Sequence, residues 1–219
     1  MDCRVEWLDV AGDRDAWRSI GLMVDDSGLV PLMGTSLRIV DHSPGETESS
    51  GDGTEESGGI VGWALSGVHG SLDGTVVDGG LATSVVDPLG PLFAEHDLGA
   101  SGLDHVVVMT ADLERTTGAI ADATGSELKR IREVGPMRQG FHRIGPGGLI
   151  VEVVERPEIP AGPGRFWGVV INVDDLDAAC ARIGSDLVSE PKDAVQPGRR
   201  ISTVRADVGL GLPVALMTP

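Results

Sequence analysis

The sequence predicts an α+β fold built from tandem βαβββ modules, preceded by a degenerate copy of the same pair. The chief observation is an internal repeat: an offset of 63 residues lays "HVVVMTADLERTTGAI" (105–120) on "GVVINVDDLDAACARI" (168–183). The same ungapped offset carries "LIVEVV" (149–154) onto "LPVALM" (212–217), so a whole unit is duplicated. Composition agrees: 32 glycines and no tyrosine in 219 residues point to many turns and short strands.

The elements of the first module follow from local pattern. Residues 104–110 read as a strand and 112–124 as a helix ending near Gly125. Leu113, Thr116, Thr117 and Ile120 share one helical face and match Leu176, Ala179, Cys180 and Ile183 in the second unit. "LKRIREV", "GFHRI" and "LIVEVVE" are three further strands, the last two joined by the turn "GPGG". The second unit repeats this over 166–218, with Asp174 or Asp175 as helix N-cap and Gly184 at the helix end.

Residues 1–100 read as a worn version of the pair. "VEWLDVAGDRDAWRSIG" is again strand then helix, "SLRIVD" resembles the closing strand, and "GIVGWALSGV" (59–68) resembles "RFWGVVINV" but is followed by no evident helix. The stretch 42–59, "HSPGETESSGDGTEESGG", holds no apolar residue and is expected to be an acidic flexible loop. The expected organisation is therefore 1–100 as the degenerate region and 101–219 as a domain of two modules, 102–157 and 165–218.

Bulk properties exclude several classes. A formal charge of -17 repels phosphate backbones and anionic lipids, so neither nucleic acid nor a membrane surface is an expected partner. No apolar run is long enough to span a bilayer, and "MDCRVEWLDV" lacks the pattern of a signal peptide. With two cysteines, Cys3 and Cys180, a reduced cytoplasmic location is expected. No nucleophile motif or phosphate loop is present.

Two residues stand out chemically. His105 lies on the first strand of its module, and Glu152 interrupts the apolar run "LIVEVV", where an unpaired carboxylate would be costly. In this order, "LDHVVVMTADLERT" resembles the opening strand and helix of the vicinal oxygen chelate superfamily, which includes glyoxalase I, fosfomycin and bleomycin resistance proteins and extradiol dioxygenases. "GLIVEVVERP" resembles its closing strand, and "FWGVVINVDDLDAACARIG" the opening of a partner module. The resemblance is good over 102–218 and faint over 1–100.

The resemblance implies curled mixed sheets around a shared cavity, with metal ligands from the first and last strands of each module. By position these are His105 and Glu152 in the first module; the second offers only Gly168 and Ala215, which cannot ligate. The implied cofactor is one divalent metal, Zn, Ni, Mn or Fe, with His142 or Glu6 as candidate third ligands. Without metal, Glu152 is a candidate general base.

Basic residues are scarce, and Arg138 with His142, and Arg199 with Arg200, are candidates to hold a substrate anion, as Trp167 is to line the cavity. The alternative is that these arginines pair with surface acids and that Trp167 packs in the core. Two functions are expected: a metal-dependent lyase, isomerase or dioxygenase acting on a small oxygenated metabolite, or a metal-free binding protein of the sequestering, resistance type. The expected partner is a small-molecule ligand, and the chain is a monomer or homodimer.

Overall fold

The computed structural model describes residues 2–41 and 58–219. The acidic stretch 42–59 therefore lies outside the described residues up to 57, while Gly59 already opens a strand.

In chain order the elements are β1 (Arg4–Ala11), α1 (Arg14–Ser19), β2 (Leu29–Val30), β3 (Ser36–Val40), β4 (Gly59–Ser66), β5 (Thr75–Val77) and β6 (Leu81–Val85). They continue with β7 (Ala100–Thr110), α2 (Leu113–Thr124), β8 (Arg130–Val134), β9 (Met137–Arg143) and β10 (Ile150–Glu155). The last are β11 (Arg165–Val173), α3 (Leu176–Ile183), β12 (Lys192–Asp193), β13 (Arg200–Val204) and β14 (Val214–Met217).

Two mixed sheets result. The second has eight strands in the order β12-β13-β14-β11-β7-β10-β9-β8, and the first has six, β2-β3-β1-β4-β6-β5. In both, two modules meet through their first strands, antiparallel: β7 with β11, and β1 with β4. In each module the first strand also pairs in parallel with the last, as in β7·β10, β11·β14, β1·β3 and β4·β6. The duplication is visible in the register, because Val106 faces Val151 as Val169 faces Val214. The N-terminal modules are worn by loss of one strand each, and a 3-10 turn at Gly70–Leu72 stands where the second helix would be.

Local chemistry explains the helices. Asp112 caps α2 by accepting the Arg115 amide, and Gly125 closes it in the left-handed conformation that a side chain disfavours. Thr117 and Thr124 can face the core because each hydroxyl donates back to the carbonyl four residues earlier. Asp175 caps α3 in the same way, accepting from the Ala178 amide.

One apolar core unites the two sheets: Val5, Leu8, Trp63 and Leu65 of the first pack with Val106, Val108, Val151, Val153 and Ile171 of the second, together with Leu113, Ile120 and Leu176 from the helices. A buried polar rivet joins them as well. Asp78 accepts from Arg115, from Thr116 and from the Gly164 amide. The eight-stranded sheet thus has one face toward helices and core. Its other face carries a separate small apolar cluster of Val107, Met109 and Val154.

Candidate ligand site on the helix-free face

β7 starts at Ala100, so the histidine sits mid-strand with pairing on both sides. It faces Ile150 in β10, and residues two apart in a strand share a face, so His105 and Glu152 project from the same side. His105 Nε2 lies 3.2 Å from Glu152 Oε2, with the two side chains 15% and 12% exposed.

Asp104 belongs to the same cluster because of a bulge. His105 faces Val170 in β11, whereas Leu103 faces Ile171, which leaves Asp104 as an extra residue in β7. A bulge breaks the alternation of faces and re-aims a side chain. Asp104 Oδ2 is 2.8 Å from His105 Nδ1, and Asp104 Oδ1 is 2.8 Å from the Arg199 guanidinium. Burial by itself would raise the Asp104 pKa, but the hydrogen bonds from His105 and Arg199 outweigh it and hold the carboxyl below the usual range. Arg199 is fixed in turn by the Thr218 carbonyl at 2.6 Å and Asn172 Oδ1 at 2.7 Å.

On the other side, Gln139 donates from Nε2 to Glu152 Oε1, while its own amide oxygen is buried without a partner. The assembled row is Arg199, Asp104, His105, Glu152 and Gln139. The two ring nitrogens of His105 each meet a carboxylate, an arrangement that the doubly protonated imidazolium satisfies completely.

The other candidates lie elsewhere, and hairpin register is the reason. In β9, Gln139 faces Val154 and so shares the Glu152 side, whereas His142 faces the core residue Val151. His142 is 1% exposed and donates from Nδ1 to the Ser126 carbonyl. Arg138 pairs with Glu114 of α2 and with Glu155, and Arg200 with Asp177 of α3. Trp167 is 44% exposed. Glu6, in the other sheet, accepts from Ser66 and from the Leu89 amide. The structure therefore brings His105, Glu152 and Arg199 together and sets Arg138, His142, Arg200 and Glu6 apart from them.

The donor set falls one short of a catalytic metal site. Two donors about 2.1 Å from one ion would lie roughly 3.0–3.4 Å apart, as Nε2 and Oε2 do, but such sites hold about three protein ligands. Among the described residues, no group of three His, Cys, Asp or Glu side chains is placed to hold a metal. Position 168 cannot supply another without a shift, since a Cβ on Gly168 would lie 2.5 Å from the Pro213 carbonyl oxygen. Clefts open on two sides of the described residues. One of about 950 Å³ lies between Cys3, Val68 and the end of α2; one of about 460 Å³ lies at the Met109 end of the helix-free face.

Comparison with known proteins places this geometry in a fold. No family model matches the sequence, and no curated protein does. Among solved structures, a triple mutant of 4-hydroxymandelate synthase from Streptomyces coelicolor is similar over 98% of this chain and 92% of its own, with a TM-score of 0.65 and 14% identity. Methylmalonyl-CoA epimerase from Mycobacterium tuberculosis matches 55% of this chain and 89% of its own, with a TM-score of 0.46 and 22% identity. A variant of the Streptomyces coelicolor epimerase covers 54% and 94%, with a TM-score of 0.45 and 20% identity. This chain has the vicinal oxygen chelate fold, with a likeness to the synthase over 98% of its length. Among the described residues, no helix is long and apolar enough to cross a membrane.

Proposed function

We propose that this chain binds a small oxygenated metabolite, a carbonyl- or hydroxyl-bearing acid, against His105 and Glu152 and moves a proton on it. The observation that carries the proposal is the 3.2 Å approach of His105 Nε2 to Glu152 Oε2 on the helix-free face. An acid and a base side by side suit enolisation. A ligand carbonyl enters between them and accepts a hydrogen bond from His105 Nε2–H. Glu152 Oε2 takes the proton from the adjacent carbon, while Gln139 holds Oε1. The charge developing on the ligand oxygen is met by the imidazolium, which Asp104 keeps oriented through Nδ1. Returning the proton to the same or a neighbouring atom gives an isomerase-type outcome, and Arg199 is the nearby cation for a ligand carboxylate.

Deuterium exchange tests this. Short 2-oxo and 2-hydroxy acids incubated with the protein in D2O are expected to gain deuterium beside the carbonyl or hydroxyl, at a rate lowered about 100-fold in Glu152→Gln. Binding without exchange would favour a second reading, a sequestering protein without chemistry. One observation supports that reading: both Glu152 oxygens are already engaged, Oε1 by the Gln139 amide and Oε2 by His105. The spacing of Nε2 and Oε2 also suits two ligands of one divalent ion, Zn, Ni, Mn or Fe. Stoichiometric metal in protein purified without chelator, lost in His105→Ala, would replace the metal-free account.

A further inference from the structure

The helix-free face does not end at the charged row. Along β7 the residues sharing the His105 side are Val107 and Met109, and these form the separate apolar cluster with Val154. Met137 and Ile159 pack on that cluster, and Met109, Met137 and Ile159 continue as walls of the cleft of about 460 Å³. Four residues of strand separate His105 from Met109, a span of about 13 Å. The apolar strip, only 4–8% exposed, thus lies on the same sheet face between the charged row and the cleft, which it meets at Met109.

Arg156 and Arg165 also line the cleft. In a chain of 34 acids and 17 bases, many cations meet a neighbouring acid, as Arg138, Arg182 and Arg200 do. Among the described residues, neither the Arg156 nor the Arg165 guanidinium makes an ion pair or a hydrogen bond. The one acid lining the cleft is Glu158. Two cations and one anion around an apolar slot select a ligand with an apolar body and an anionic end. The two methionines suit such a body, because unbranched thioether side chains adapt to its shape.

We propose that the ligand is an elongated amphipathic anion: its oxygenated head lies at His105 and Glu152, its apolar body over Val107, Met109 and Val154, and its phosphate or carboxylate tail between Arg156 and Arg165. This extends the assignment of the ligand head to His105 and Glu152 and rests on it.

Calorimetric titration of the full chain below the micelle concentration tests the proposal, with decyl phosphate, decanoate, decanol and inorganic phosphate as probes. Decyl phosphate or decanoate is expected to bind one to one, at least tenfold more tightly than decanol or inorganic phosphate, and the stronger of the two names the tail. The double variant Arg156→Ala/Arg165→Ala should weaken it at least tenfold, Glu158→Gln should tighten it, and binding of a short 2-oxo acid should be unchanged. Failure of both amphiphiles to bind, or binding indifferent to the arginines, overturns the proposal. The head site is read separately, by the loss of short-acid binding in His105→Ala, so either assignment can fail while the other stands.

Discussion

The imidazole of His105 stands 3.2 Å from the carboxylate of Glu152 across two parallel strands, and 2.8 Å on its other side from Asp104. A neutral ring has one N–H for two carboxylates, and the shorter contact is the one to Asp104. The neutral form of His105 is therefore expected to carry its proton on Nδ1, and Asp104→Asn to shift it toward Nε2. Nitrogen-15 shifts of labelled histidine read this directly; a neutral ring protonated on Nε2 and bare at Nδ1 would contradict the orientation role of Asp104.

Arg199 compensates Asp104, whose side chain is 9% exposed. Arg199→Ala should cost roughly 3 kcal/mol in urea unfolding, the low end for breaking a buried pair, because Arg199 is itself 18% exposed. Arg199→Lys should restore only part, since one ammonium cannot reproduce the fork that also holds Thr218 and Asn172. The pH dependence has a definite sign. A carboxyl whose pKa is depressed by folding stabilises fully above its unfolded value, about 3.9, and loses that contribution as pH falls through the folded value. In Arg199→Ala the acid-side loss should shrink, because burial then raises the carboxyl's pKa with less to offset it.

Asp78 ties the two sheets together through Arg115, Thr116 and the Gly164 amide, with its side chain 3% exposed. Asp78→Ala removes an acceptor shared by three donors, all of them from the second half of the chain. A loss of about 3 kcal/mol is expected. An unchanged urea midpoint would show that the rivet carries no net stability.

His142 is buried, and burial lowers its pKa below 6.5. It is neutral in folded and unfolded chains above that value. Below it the unfolded chain takes a proton that the folded one resists, so stability should fall as pH drops from 6.5 toward the folded value. His142→Gln should flatten this slope whatever its effect at neutral pH. An unaltered slope would assign the titration to another group.

Much of the fold was legible because the duplication preserved register. The constant offset that aligned the modules is the one that sets Val106 against Val151 and Val169 against Val214, and it placed His105 and Glu152 on one face. Asp104 was not legible: simple alternation turns it away from His105, and only the pairing with β11 creates the bulge that turns it back. Gln139, next to Arg138, could be distinguished from His142 only once the β9–β10 register was set. The arginines divide for a similar reason. Arg138 and Arg200 meet acids at the starts of α2 and α3, while Arg199, one residue from Arg200, meets Asp104.

The most direct measurement of the central claim is the histidine nitrogen-15 spectrum during titration with short 2-oxo and 2-hydroxy acids. A bound acid should move the His105 resonances, leave those of buried His142 in place, and lose its affinity in His105→Ala and Glu152→Gln. Binding that leaves His105 unmoved, or that survives both substitutions, would place the ligand somewhere other than this face.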